Sequence, residues 1–330
     1  MNIEDVFTLI KDDMERVNHL IQSSLHSEVV LINQISQYII NSGGKRLRPV
    51  LVLLSANAFA YTSSRQSAAA DEHHVTLAAV IEFIHTATLL HDDVVDESEL
   101  RRGKDTANEL WGNAASVLVG DFLYSRAFEM MVGVGSMKVM EILSHSTNTI
   151  AEGEVLQLLN CNDASTTEAR YIEVIHFKTA KLFESASQLG AVIAGQDEAT
   201  EQAMAKFGMH LGTAFQLIDD VLDYSASSED MGKNVGDDLA EGKPTLPLIY
   251  AMKHGTEEQA TLIRDAIEQG GLDQIDAINQ AIETTGALEY TRNIAKNEAQ
   301  QAIAQLENIP DSDYKEAMIS LAHFSIERNF

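Results

Sequence analysis

Cysteine occurs once in the 330 residues, at Cys161. No internal disulfide can form, and a reducing cytoplasm is the expected compartment. Proline occurs four times, at Pro49, Pro244, Pro247 and Pro310, so long stretches lack the strongest helix breaker. Basic residues are scarce: 23 Lys and Arg stand against 50 Asp and Glu, a formal charge of −27. That balance argues against nucleic acid as a partner, because a phosphate backbone demands a basic face. It leaves room for a local basic cluster around a small phosphate ligand. No run approaches ~18 uninterrupted apolar residues, so no membrane span is expected. The opening Met1-Asn2-Ile3-Glu4-Asp5 lacks the basic-then-apolar pattern of a secretory signal. A phosphate-cradling Gly-x-x-x-x-Gly-Lys-Ser/Thr loop and a convincing nucleophilic triad are also missing.

What is present is helical periodicity. Hydrophobic residues make up 45% of the chain, enough for a sizeable core. Ile10, Met14, Val17, Ile21 and Leu25 recur every three or four residues, as do Leu31, Ile32, Ile35, Tyr38 and Ile39. These predict two helical pieces over 3–41. Further helices are expected over 50–60, 74–95, 113–131, 137–159, 168–194 and 199–224, with a surface connection at 61–73. Shorter amphipathic helices follow to the end. The stretch 225–243 breaks the periodicity and reads as a lid or binding loop. With no strand-like alternation and no linker, the expectation is one all-α domain over 1–330.

Two acidic signatures stand out within these helices. Asp92-Asp93-x-x-Asp96 closes a helix that is apolar on every side and therefore buried. Asp219-Asp220-x-x-Asp223 closes another. At helical pitch Asp92 and Asp96 stand one turn apart on one face, as do Asp219 and Asp223. Buried carboxylates need cations or partners, and an all-oxygen donor set suits Mg²⁺, Ca²⁺ or Mn²⁺. His85 lies on the face of Asp92, where a core histidine and a functional one are equally plausible from spacing alone. The turn Gly43-Gly44-Lys45-Arg46-Leu47-Arg48-Pro49 sets three cations beside a helix start, either an anion site or a solvated turn. Lys178, Lys233, Arg101 and Arg102 could complete a charge balance around a metal-bound diphosphate. A diphosphate so neutralised is a good leaving group, and its departure from an allylic carbon needs no protein nucleophile.

These motifs, in this order and with Gly112-Asn113, Gly120-Asp121-Phe122, Glu152-Gly153-Glu154, Lys178-Thr179-Ala180 and Gly242-Lys243-Pro244-Thr245, resemble those of the trans-polyprenyl diphosphate synthases over essentially the whole chain. The resemblance implies an all-α isoprenoid-synthase helical bundle around a deep central cavity, a homodimer, and dependence on two or three Mg²⁺ ions. It implies that Asp92, Asp96 and Asp219 bind the metal, with Asp93, Asp220 and Lys178 also in the catalytic machinery. Arg101, Lys178, Thr179, Gln216 and Lys233 would hold the allylic diphosphate. Lys45, Arg48, His85 and Arg102 would hold isopentenyl diphosphate. The implied reaction extends an allylic starter, farnesyl diphosphate, by successive five-carbon units to a long all-trans product, octaprenyl (C40) for a quinone side chain, with geranylgeranyl to decaprenyl as alternatives.

In such enzymes a bulky aromatic one turn before the first motif stops growth early. Here Ala87 and Thr88 are small, which implies a longer product. Phe128, Met130 and Met131 are candidates for the floor of its tunnel. Three rivals remain. A terpene cyclase typically replaces the second aspartate set with an Asn/Ser/Glu pattern. A di-iron carboxylate bundle would use Glu82-x-x-His85 and Glu173-x-x-His176 with two further glutamates. A non-catalytic regulatory subunit tends to lose an aspartate motif, and both are intact here.

Overall fold

The computed structural model describes residues 1–59, 72–225, 236–270 and 272–328. Its helices are α1 Ile3–Leu9, α2 Lys11–Ser24, α3 Val30–Ile40, α4 Leu47–Asn57, α5 His73–Val95, α6 Ala107–Trp111, α7 Asn113–Val134 and α8 Met137–Asn160. After them come α9 Glu168–Val174, a π-helix π1 Ile175–Ala180, α10 Lys181–Ile193, α11 Glu198–Ser225 and α12 Asp237–Ala240. The remainder is α13 Leu246–His254, α14 Glu257–Gln269, α15 Ile275–Thr285, α16 Ala287–Gln305 and α17 Asp313–Glu327. The all-α expectation holds, and the long predicted helices fall within a few residues of their observed bounds. The first segment forms three helices rather than two, with Ile10 between α1 and α2. Local chemistry sets several starts. Asn2 and Asp5 form a reciprocal capping box on α1, as do Thr256 and Gln259 on α14.

Two features escaped the periodicity. The stretch read as one helix over 168–194 is interrupted by π1. A π turn shifts the register by one residue, which apolar spacing does not reveal, and such insertions recur at functional sites. Between α5 and α6, β1 Leu100–Arg101 pairs antiparallel with β2 Lys104–Asp105. Arg102 and Gly103 form the turn with φ of 55° and 73°, the positive values that a tight two-residue hairpin requires. Strands of two residues are too short to show alternation.

Contacts divide the chain into two compact units. The first comprises Met1–Thr147, Leu182–Gly208 and Gln305–Leu321. Its centre is α5, which packs on α7, α4 and α2. Leu77, Val80, Phe83, Ala87 and Leu90 of α5 are fully buried, as are Val50 to Leu54 of α4. Each large apolar side chain so buried contributes about 1.5–3 kcal/mol. Val119, Leu123, Ala127 and Met131 make a four-residue stripe along α7, all buried. The other side of α7 leaves Leu118 and Val132 exposed. Among the described residues α5 alone is long and apolar enough to cross a membrane, and 72% of its apolar window is buried.

The second unit comprises Asn148–Lys181, Met209–Ala304 and Ala322–Phe330. One of its cores joins Leu248, Ile263, Ile267, Ile278 and Ile282. Another joins Tyr171, Ile175, Leu217, Ile218, Leu222 and Leu246. The latter ties α9 and π1 to α11 and α13, so it fixes where Lys178 and Asp219 emerge.

Candidate active site

In the first unit, α5 carries Asp92 and Asp96 to its end, both half-buried. Asp93 between them turns inward and is fully buried. Arg101 of β1 reaches it, with Nε 2.7 Å and Nη2 2.5 Å from Asp93 Oδ1. Burial pushes the Asp93 carboxyl up, Arg101 opposes this, and the charges of Asp92 and Asp96 add to the rise. The hairpin thus serves to bring Arg101 back onto the motif. The middle aspartate is spent on an arginine, while the outer two share the face that periodicity predicted.

The basic turn sits in the same unit. Arg46, at φ 48°, precedes α4 and donates to Asn18 and to the Ile40 carbonyl. Arg102 donates to the Gly43 carbonyl. A Cβ on Gly44 would lie 2.6 Å from the Arg102 guanidinium, at a φ of 127°. That φ is one that side chains other than glycine rarely adopt. Arg48 donates to His85 Nε2 at 3.2 Å and lies 4.4 Å from the Phe183 ring centre. Burial, followed by the charges of Arg48, Arg102 and Arg101, drives the His85 pKa well down. His85 is therefore a neutral acceptor that orients Arg48. Glu82, one turn earlier, lies 4.0 Å from Arg46. Burial raises its pKa, and Arg46, Arg48 and Arg102 oppose the rise. The Glu82/His85 pair faces arginines, which argues against the di-iron reading. Lys45 is half-buried on the same turn.

Of the chain-length candidates, Ala87 and Met131 are fully buried. Thr88 donates to the His85 carbonyl at 2.8 Å, and Phe128 lies 5.7 Å from Tyr124 between ring centres. Met130 is half-buried.

In the second unit, π1 presents Lys178 and Thr179. Lys178 Nζ is 2.6 Å from Glu154 Oε2 on α8. A Cβ on Gly153 would lie 2.7 Å from the Lys178 backbone nitrogen, so this glycine admits π1 against α8. Thr179 donates to Gln216 at 3.2 Å, and Gln216 donates to Asp220 at 2.8 Å. The Tyr171 hydroxyl also donates to Asp220, which is buried. Burial and then the Asp238 charge push the Asp220 carboxyl well up. As in the first motif, the second aspartate is turned inward and bonded, while Asp219 stays 42% exposed. Arg328 Nη1 lies 2.6 Å from Asp219 Oδ1. Asp223 accepts from the Asp238 backbone at 3.4 Å. Lys233 lies outside the described residues.

Tyr171, Glu154 and Arg328 were not singled out as site residues in the sequence. Glu154 had a signal, in Glu152-Gly153-Glu154 on the polar side of its helix. Tyr171 and Arg328 had none, because their partners are remote in sequence. Among the described residues no group of three or more His, Cys, Asp and Glu side chains is clustered to hold a metal. A hard ion such as Mg²⁺ needs few protein carboxylates and fills its shell with water and phosphate oxygens.

A family model described as polyprenyl synthetase matches residues 29–285. Octaprenyl diphosphate synthase of Escherichia coli is 54% identical over 330 residues, covering all of both chains. The Haemophilus influenzae octaprenyl diphosphate synthase is 52% identical, over all of this chain and 98% of that one. A polyprenyl synthase structure from Caulobacter crescentus, complexed with calcium and isoprenyl diphosphate, superposes with a TM-score of 0.93 at 44% identity, covering 100% and 98% of the two chains. With paired aspartate motifs, an arginine-bearing hairpin and a lysine-bearing π turn already in place, these matches show that the chain belongs to the polyprenyl synthetase family.

Proposed function

We propose that the protein is a trans-prenyltransferase that extends an allylic diphosphate with successive isopentenyl diphosphates to an octaprenyl (C40) diphosphate destined for a quinone side chain. The observation that carries this reading is the division of labour within the first aspartate motif. Asp93 is buried on Arg101, whereas Asp92 and Asp96, one turn apart on α5, are only half-buried. Full-length identity of 54% to an octaprenyl diphosphate synthase supports the product length. Small residues at Ala87 and Thr88 agree with it.

Asp92, Asp96 and Asp219 are the proposed ligands of two or three Mg²⁺ ions. Bound Mg²⁺ would neutralise the diphosphate and make it a better leaving group. Arg101, Lys178, Thr179 and Gln216 orient the allylic diphosphate, held ready by Asp93, Glu154 and Asp220. Lys233 joins them on family grounds. Lys45, Arg48 and Arg102 hold isopentenyl diphosphate, with neutral His85 aligning Arg48. The C–O bond of the allylic diphosphate breaks, and the isopentenyl double bond attacks the resulting cation. A proton then leaves to the displaced diphosphate, which acts as base. In this reading a dry site would keep water from the cation.

The whole chain acts as one polyprenyl synthase domain in this proposal, in keeping with relatives matched end to end. The active form is a cytoplasmic homodimer. Exposed Leu118 and Val132 on α7 are apolar surface that a second copy would cover. Incubation with farnesyl diphosphate, labelled isopentenyl diphosphate and Mg²⁺, followed by chromatography, is expected to give a C40 product. No chain extension would overturn the function; extension to another length would overturn only the C40 assignment.

A further inference from the structure

Asp219 has a partner that the reaction scheme does not use. Arg328 follows α17, and its side chain is only 4% exposed. Its guanidinium is fixed from four directions: Nη1 on Asp219 Oδ1 at 2.6 Å, Nη2 on the Phe215 carbonyl, Nε on the Ser325 carbonyl at 3.3 Å, and its plane 3.6 Å over the Phe215 ring. Phe215 and Asp219 are one turn apart on α11, so a single guanidinium spans that turn. An exposed arginine pair would count for little. This one is anchored to a helix carbonyl and an aromatic face, and it sits on the one carboxylate of the second motif proposed to take metal through open exposure.

We propose that Arg328 is an internal counter-ion for Asp219, which a divalent cation must displace or share the carboxylate with. Arg328 thereby sets the metal concentration at which the second aspartate set loads. The inference rests on the reading of Asp219 as a metal ligand. Physically, a guanidinium bonded to one carboxylate oxygen lowers the attraction of that carboxylate for a cation and places like charge beside the arriving ion. Removing Arg328 takes that competitor away from Asp219. In the metal-free protein Arg328 neutralises Asp219, so loading without diphosphate needs a higher metal concentration than loading with it.

The test is Mn²⁺ binding followed by electron paramagnetic resonance, with and without inorganic diphosphate, on the full chain and its Arg328→Gln and Asp219→Asn variants. Arg328→Gln is expected to bind Mn²⁺ on the order of tenfold more tightly in the absence of diphosphate. That gain should shrink when diphosphate is present. Asp219→Asn is expected to lose binding at this site. Unchanged Mn²⁺ affinity in Arg328→Gln, with only a lower melting temperature, would mean a purely structural tether and overturn the proposal. Weaker Mn²⁺ binding in Arg328→Gln would overturn it as well. Unchanged binding in Asp219→Asn would overturn both the proposal and the metal role of Asp219. Should Arg328→Gln not fold, Arg328→Lys keeps the charge but cannot span Asp219 and Phe215 together. It is then expected to show a smaller rise in affinity, and no rise refutes the idea.

Discussion

Asp93→Asn separates the buried member of the first motif from the two half-buried neighbours proposed to bind metal. The substitution keeps the shape and removes the charge that holds Arg101. Asp93 is fully buried and the Arg101 side chain is 19% exposed. Breaking a buried pair by removing one partner costs about 3–5 kcal/mol. Two features place this case at or below the low end. Arg101 keeps some access to water, and burial already raises the Asp93 carboxyl, so a neutral amide is easier to bury than the charge it replaces. A loss of about 2–3 kcal/mol corresponds to a fall in melting temperature of roughly 3–4 °C for a chain of this size. Freed from Asp93, Arg101 also loses its aim. The KM for farnesyl diphosphate should then rise about tenfold, while that for isopentenyl diphosphate changes less. Thermal melting and initial rates with each substrate varied in turn read both effects. The comparison is Asp92→Ala, which is expected to abolish turnover with a smaller change in melting and an intact helical circular dichroism spectrum. A melting temperature for Asp93→Asn within about 1 °C of the parent, together with an unchanged farnesyl diphosphate KM, would refute a positioning role for this carboxylate.

Ala87→Phe places a large ring at a fully buried position on α5. It is expected to shorten the product, at a stability cost of about 1–3 kcal/mol from overpacking; chromatography showing the parental chain length from folded mutant enzyme would sink the tunnel assignment. Away from the site, Asp13 is held by His74 at 3.3 Å, by Asn57 at 3.1 Å and by Arg16 at 2.8 Å. Burial works against its charge, but these partners outweigh it and lower its pKa. A depressed carboxyl adds stability above its unfolded value of about 3.9, and that contribution disappears as pH falls through the folded value. The urea midpoint of Asp13→Asn should therefore lie below that of the parent at neutral pH and converge with it below about pH 4. A gap that stays constant down to acid pH would show that the charge is not responsible.

The sequence by itself determined the helical class, the approximate bounds of the long helices and both acidic faces. Each is a local property. Apolar spacing fixes which side of a helix is buried, and an i, i+4 pair of aspartates shares a face wherever the helix goes. The all-round apolar character of 74–95 also foretold that Asp92 and Asp96 end an interior helix. Tertiary structure alone decided which carboxylate does what. Asp92 and Asp93 are adjacent and chemically identical, yet one remains on the outer face and the other is locked to Arg101 by a two-residue hairpin too short to leave a pattern. Asp220 is distinguished from Asp219 in the same way, by Tyr171 and Gln216. The π turn that presents Lys178, the neutrality of His85 and the hold of Arg328 on Asp219 also depend on partners far apart in the chain. Periodicity reports which side of a helix is buried, but a side chain's charge state and its bonds are set by whatever else the fold brings within a few ångströms, and that has no local signature.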